Sequence, residues 1–151
     1  MGESTRQEDT VVNGIDLARV VDADDPKYMV EKAEVLGQQL GSDEAAKTQF
    51  RRLFATLQQI EMTWPRTVDK ENASQQRAAF RQLMLFKPRL AYQAKQHNSL
   101  AKLADVLQMG ITRIGQDPQR EKLQRLVQFT EATLAYYVAS DNRYQNQRRG
   151  G

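Results

Sequence analysis

The chain has 151 residues, 40% hydrophobic and 27% charged, which is enough for one domain with a proper core and too few for two. With no cysteine, disulfide scaffolds, thiolate zinc sites and cysteine nucleophiles are excluded, which suits a reducing cytoplasm. The net charge of +3 hides an asymmetry: residues 1–25 hold two bases against seven acids, a net of −5 that leaves +8 on the remainder, and such an excess favours an anionic partner.

Residues 1–25 are polar and acidic apart from an apolar patch between Val11 and Val21 that Asn13-Gly14 interrupts. This composition predicts a disordered acidic arm, and its removal is expected to shift the melting temperature little. The N-terminus lacks the basic-then-apolar pattern of a signal peptide, position 6 is Arg where a myristoylation signal wants Ser or Thr, and no apolar run approaches a membrane span. A soluble, cytoplasmic protein without membrane contact is expected.

Order is expected from Asp25-Pro26, an acidic cap before a proline at the first helical position, with Tyr28, Ala33, Leu36 and Leu40 following at helical intervals as far as Gly41. Ser42-Asp43-Glu44 then supplies a cap and first-turn acids to a second helix, whose Phe50, Leu53, Phe54, Leu57, Ile60 and Trp64 recur at steps of three and four. Residues 65–70 form a loop. A third helix starts near Glu71, buries Phe80, Leu83, Met84, Leu90, Ala91 and Ala94, and contains Pro88, which predicts a kink or a restart. His97-Asn98-Ser99 reads as a break with a cap before a fourth helix (Leu100, Leu103, Val106, Leu107, Ile111, Ile114), ended by Gly115. Asp117-Pro118 repeats the cap-and-proline device for a fifth, with Leu123, Leu126, Val127, Leu134, Tyr137 and Val138 inward. Residues 141–151 are a flexible basic tail. Sustained alternation with β-branched residues is missing, so strands are not expected. The predicted fold is all-α, a single compact bundle of five helices over residues 26–140.

Catalysis has little to work with. The chain has no Gly-rich phosphate loop, and one histidine, His97, cannot make a two-histidine metal site. No catalytic residue, metal or cofactor is expected, and a nuclease built on His97 is the weakest of the readings considered. The basic residues are more informative. Residues 72–104 carry Arg77, Arg81, Lys87, Arg89, Lys95 and Lys102 without one Asp or Glu, which makes sense if the counter-charge arrives from outside, most simply as nucleic acid. At about 100° per residue, Arg77, Arg81 and Lys95 fall within roughly 40° of one another, with Arg89 and Tyr92 a little further round. Guanidinium forks gripping phosphate oxygens beside a stacking ring suit single-stranded nucleic acid; the alternative is a solvated face with Tyr92 half buried. Arg51 and Arg52 form a second cluster, which either faces the same ligand or pairs with Asp43 and Glu44. Lys87 projects into the apolar sector between Leu83 and Leu90, so it must snorkel or be turned outward at Pro88.

The segment Leu83-Met84-Leu85-Phe86-Lys87-Pro88-Arg89-Leu90-Ala91-Tyr92 resembles the Leu-x-Pro-(Lys/Arg)-Leu-Ala-Tyr signature of the small helical subunit of type III-A CRISPR effector complexes, the Csm small subunit. Phe50-Arg51-Arg52-Leu53-Phe54 is similar to that family's basic-aromatic second helix, and Phe129-Thr130-Glu131-Ala132 with Ala135-Tyr136 to its closing helix. The resemblance spans about residues 26–139 and leaves the acidic first 25 unmatched. It implies a non-catalytic, RNA-binding structural subunit for antiviral defence, present in several copies that stack as a filament or dimer beside other subunits and line the groove for guide RNA and target RNA, while cleavage and cyclic oligoadenylate synthesis belong to other subunits. By position it implies roles for Arg51, Arg52, Lys87, Arg89 and Tyr92. The runner-up is a helical protein–protein adaptor, or the small subunit of a related type III complex without RNA contact.

Overall fold

A computed structural model describes residues 10–41 and 43–150, the last ten by backbone alone. Expectations for residues 1–9, Ser42 and Gly151 lie outside the described residues. The chain begins with a hairpin: β1 (Val11–Val12) pairs antiparallel with β2 (Ile15–Asp16), Val12 opposite Ile15. Asn13 (φ 53°) and Gly14 (φ 77°) both take the left-handed conformation of a two-residue type I′ turn, which an Asn-Gly pair adopts readily. A π-helical turn, Ala18–Asp22, follows. Five helices complete the fold: α1 (Pro26–Gln39), α2 (Glu44–Thr63), α3 (Ala73–Gln96), α4 (Ala101–Gln116) and α5 (Arg120–Gly150), with a 3-10 turn, Asn98–Leu100, before α4. The all-α bundle is as expected; the hairpin is a strand pair that the sequence pattern did not announce.

The larger correction concerns the acidic arm. Ile15, Leu17, Val20 and Val21 are buried in the core, and Val21 offers its carbonyl to Arg125 at 2.9 Å. Asp22 accepts from Nε and Nη2 of Arg113 on α4 and lies 3.1 Å from Lys122 Nζ on α5. Lys122 also reaches Asp117 at 3.1 Å; burial opposes its charge, but these two carboxylates outweigh that and raise its pKa. Asp22 therefore clamps α4 to α5, while Asp25 pairs with Arg19 at 2.8 Å and Asp16 accepts from the Thr10 hydroxyl at 2.8 Å. At the other end, the α5 backbone continues through residues 141–150, where a flexible tail was expected.

Packing follows the apolar stripes. α1 lies along α5, α4 along α3, and α2 against both α5 and α3. Gly37 permits the first contact: a Cβ there would sit 2.8 Å from the Thr133 carbonyl oxygen and 2.9 Å from the Tyr137 nitrogen. Tyr137 stacks on Phe50 with 5.8 Å between ring centres and donates its hydroxyl to the Gly41 carbonyl at 2.7 Å. Phe50, Leu53, Leu57, Ile60 and Trp64 are buried as the spacing predicted, while α3 turns Ala79 and Phe86 inward and leaves Ala91 exposed.

The caps divide. Asp25 accepts from the Tyr28 N–H at 3.2 Å, with Pro26 opening α1. Asp43 accepts from the Ala46 N–H at 2.6 Å and from the Ser99 hydroxyl at 3.0 Å. Ser99 thus ties α2 to the turn before α4 and does not cap α4. Asp117 takes side-chain donors from Gln119 and Lys122, and α5 starts only at Arg120. Asp43→Ala is expected to lower stability by about 0.5–2 kcal/mol at neutral pH in urea unfolding. The Ala46 N–H and then the Ser99 hydroxyl hold the Asp43 carboxyl below its ordinary range. A depressed carboxyl stabilises above its unfolded pKa and loses that contribution as pH falls through the folded one, so the gap between wild type and variant should close below about pH 4.

Candidate nucleic-acid interface

α3 is the platform of the basic face. Asp69 Oδ1 accepts from the N–H groups of Glu71 and Asn72, and Asn72 Oδ1 accepts from that of Asp69, so the loop before the helix is fixed by side chains. The helix then runs unbroken past Pro88, which withholds a hydrogen bond from the Met84 carbonyl. Ala79, Leu83, Phe86 and Leu90 face the core, which puts Arg77, Arg81, Tyr92 and Lys95 on the opposite side, all exposed. From Arg77 to Lys95 this face extends about 27 Å along the axis, at 1.5 Å per residue. Arg89, also exposed, lies on the flank towards α2, its guanidinium 5.6 Å from the Phe86 ring centre. The Tyr92 hydroxyl accepts from Gln96 Nε2 at 2.7 Å, and the ring is 59% exposed, open to a stacking partner.

α2 runs antiparallel to α3. Gln75 Nε2 donates to the Thr63 carbonyl near one end, Thr56 and Ile60 share a groove with Phe86 and Arg89, and Asp43 meets Ser99 at the other. This register sets Arg52, one turn before Thr56, level with Arg89. Arg51 is exposed too, but about 100° round the helix from Arg52, at the edge of the face. Neither pairs with the acids before it, since Asp43 serves as the cap and Glu44 takes Lys47 at 3.3 Å.

Lys87 stands apart. It points to α4, where its Nζ donates to Thr112 Oγ1 at 2.7 Å beside Asp105, Gln108 and Val12. Snorkelling along the α3–α4 seam resolves its place in an apolar sector. His97 ends α3, half-buried, with its backbone N–H on the Gln93 carbonyl.

The ion pairs among the described residues join Arg19 to Asp25, Lys47 to Glu44, Arg113 to Asp22, and Lys122 to Asp22 and Asp117. None involves Arg51, Arg52, Arg77, Arg81, Lys87, Arg89 or Lys95. An exposed row of cations without internal acids attracts phosphate, and five of its members, Arg51 and Arg52 on α2 and Arg77, Arg81 and Arg89 on α3, are guanidinium forks. The sequence reading missed Thr56, Gln82 and Leu85, which line the α2–α3 groove; they carry no charge, and only the packing of two helices brings them together. Among the described residues no His, Cys, Asp or Glu cluster could hold a metal ion, and no helix is long and apolar enough to cross a membrane.

A family model described as Csm2 Type III-A matches residues 23–143, a span that contains the whole basic face. No curated protein and no solved structure matches the chain. The match extends over four-fifths of the sequence and takes in all five helices at least in part. The chain therefore belongs to the Csm2 Type III-A family and is a small subunit of the type III-A CRISPR effector complex.

Proposed function

We propose that the outward face of α3 and the adjoining edge of α2 hold the sugar–phosphate backbone of guide RNA and target RNA within that complex, and that the subunit catalyses no step itself. The observation that carries this reading is the acid-free face: Arg52, Arg77, Arg81, Arg89 and Lys95 are exposed without an ion pair among the described residues, on a family member whose complex is assembled around RNA. Base pairing between guide and target supplies sequence specificity, so phosphate contacts suffice for this subunit. Copies stacked side by side, as the resemblance to the small subunit implies, would join their faces into one basic groove. Arg51 contributes at the edge of the face. Lys87, engaged with Thr112 on the other flank, contributes least.

Single Ala replacements at Arg51, Arg52, Arg81, Lys87, Arg89 and Lys95 test the reading, with RNA affinity measured at two salt concentrations and folding followed by circular dichroism. Each of the arginines and Lys95 should weaken binding to unrelated RNA sequences about equally and reduce the salt slope by roughly 0.7. Lys87→Ala should leave that slope unchanged. Unchanged affinity across the set, or binding equally strong at high salt, would favour a protein–protein adaptor.

A further inference from the structure

Beside the basic face, α2 and α3 leave an open groove of about 200 Å³. Ile60, Leu85 and Phe86 form its apolar surface, and Thr56, Gln82 and Arg89 its polar margin. Leu85 is 53% exposed, a large apolar side chain amid cations, where a purely electrostatic surface would carry a polar one. Gln82 is exposed and has no hydrogen bond among the described residues, so its amide is available as donor and acceptor. Thr56 donates its hydroxyl to the Arg52 carbonyl at 3.0 Å and keeps its lone pairs for an incoming N–H. The Arg89 guanidinium, 5.6 Å from the Phe86 ring centre, adds a flat cationic wall. Arg81 lies one turn before Leu85, and Arg52 one turn before Thr56.

We propose that this groove receives one unstacked nucleobase of a single-stranded RNA segment whose phosphates lie on the adjacent arginines, an inference that rests on the RNA-binding reading above. The apolar surface of Leu85 and Phe86 meets the face of the base, Arg89 packs against its π system, and Gln82 and Thr56 meet its polar edge. Because an amide both donates and accepts, the groove tolerates all four bases. The charge around it selects a nucleotide over a free apolar side chain, since any occupant must bring anionic groups to Arg52, Arg81 and Arg89.

The test compares two probes on the full chain at one salt concentration: a single-stranded oligouridylate, and an abasic oligoribonucleotide of equal length, which has the same phosphates and no bases. The wild-type chain should bind the oligouridylate about tenfold more tightly. Replacing Gln82→Ala and Leu85→Ala together, both exposed positions, should remove that preference while leaving affinity for the abasic probe unchanged. Tyr92→Ala, which removes a ring open to stacking, should reduce the preference less than the groove pair does. Equal binding of both probes by the wild type, or a preference that survives the groove pair and disappears with Tyr92→Ala, overturns the groove and leaves the backbone reading intact. Failure of the wild type to bind either probe overturns both.

Discussion

Leu17→Ala is expected to lower folding stability by about 2–5 kcal/mol, and deletion of residues 1–24 to abolish cooperative unfolding. Leu17, Val20 and Val21 are each fully buried and Ile15 is 2% exposed, although all four belong to a segment whose composition suggested a solvated arm. Burying a side chain of this kind contributes about 1.5–3 kcal/mol, so the four together amount to several kcal/mol even after the entropy of ordering the segment is set against them. That is a large share of the 5–15 kcal/mol that typically holds a domain together. The deletion also strands cations. Arg113 loses Asp22, Lys122 keeps only Asp117, and Arg125 loses the Val21 carbonyl. The point variant should show a lower urea midpoint with a similar slope, and the truncated chain a broad transition. A melting temperature unchanged by the deletion would show that the hairpin and π-turn merely rest on the bundle.

The helices were legible because each carries an apolar stripe and the first two bring their own caps: Asp25-Pro26 for α1, Asp43 for α2, and Phe50 to Trp64 at steps of three and four. The N-terminal segment was not, for two physical reasons. Its buried residues pass from a hairpin to a π-turn, so Ile15, Leu17, Val20 and Val21 follow no single period. Asp22 finds its cations 91 residues away on α4 and further still on α5, and that pairing is a property of the tertiary fold. Ser99 misled for a similar reason, since a hydroxyl before a helix reads as a cap and here serves the neighbouring helix's cap instead. Of the candidate site, the cationic face could be read from composition and helical phase alone, and even Lys87 announced itself as an anomaly of the projection. Its answer, Thr112, could not be read, because it lies on another helix. The α2–α3 groove was invisible for the same reason.

The triple replacement Arg77→Ala, Arg81→Ala and Lys95→Ala is expected to weaken RNA binding about a hundredfold near 0.1 M salt. Each phosphate neutralised on a single strand releases about 0.7 counterion, which near 0.1 M corresponds to about fivefold in affinity per contact. The three side chains are exposed, have no ion pair among the described residues and share one side of α3, so their removal should leave the fold intact. Lys95, about four turns beyond Arg81, adds independently, whereas Arg77 and Arg81 are one turn apart and couple, so about a hundredfold is what the three single effects give when summed as free energies. The measurement that tests the central claim most directly is the slope of log affinity against log salt for wild type and triple variant on the same RNA. A wild-type slope that falls by about two units in the variant, with unchanged circular dichroism, is the predicted result. Superimposable lines for the two proteins would contradict an RNA backbone lying on this face of α3.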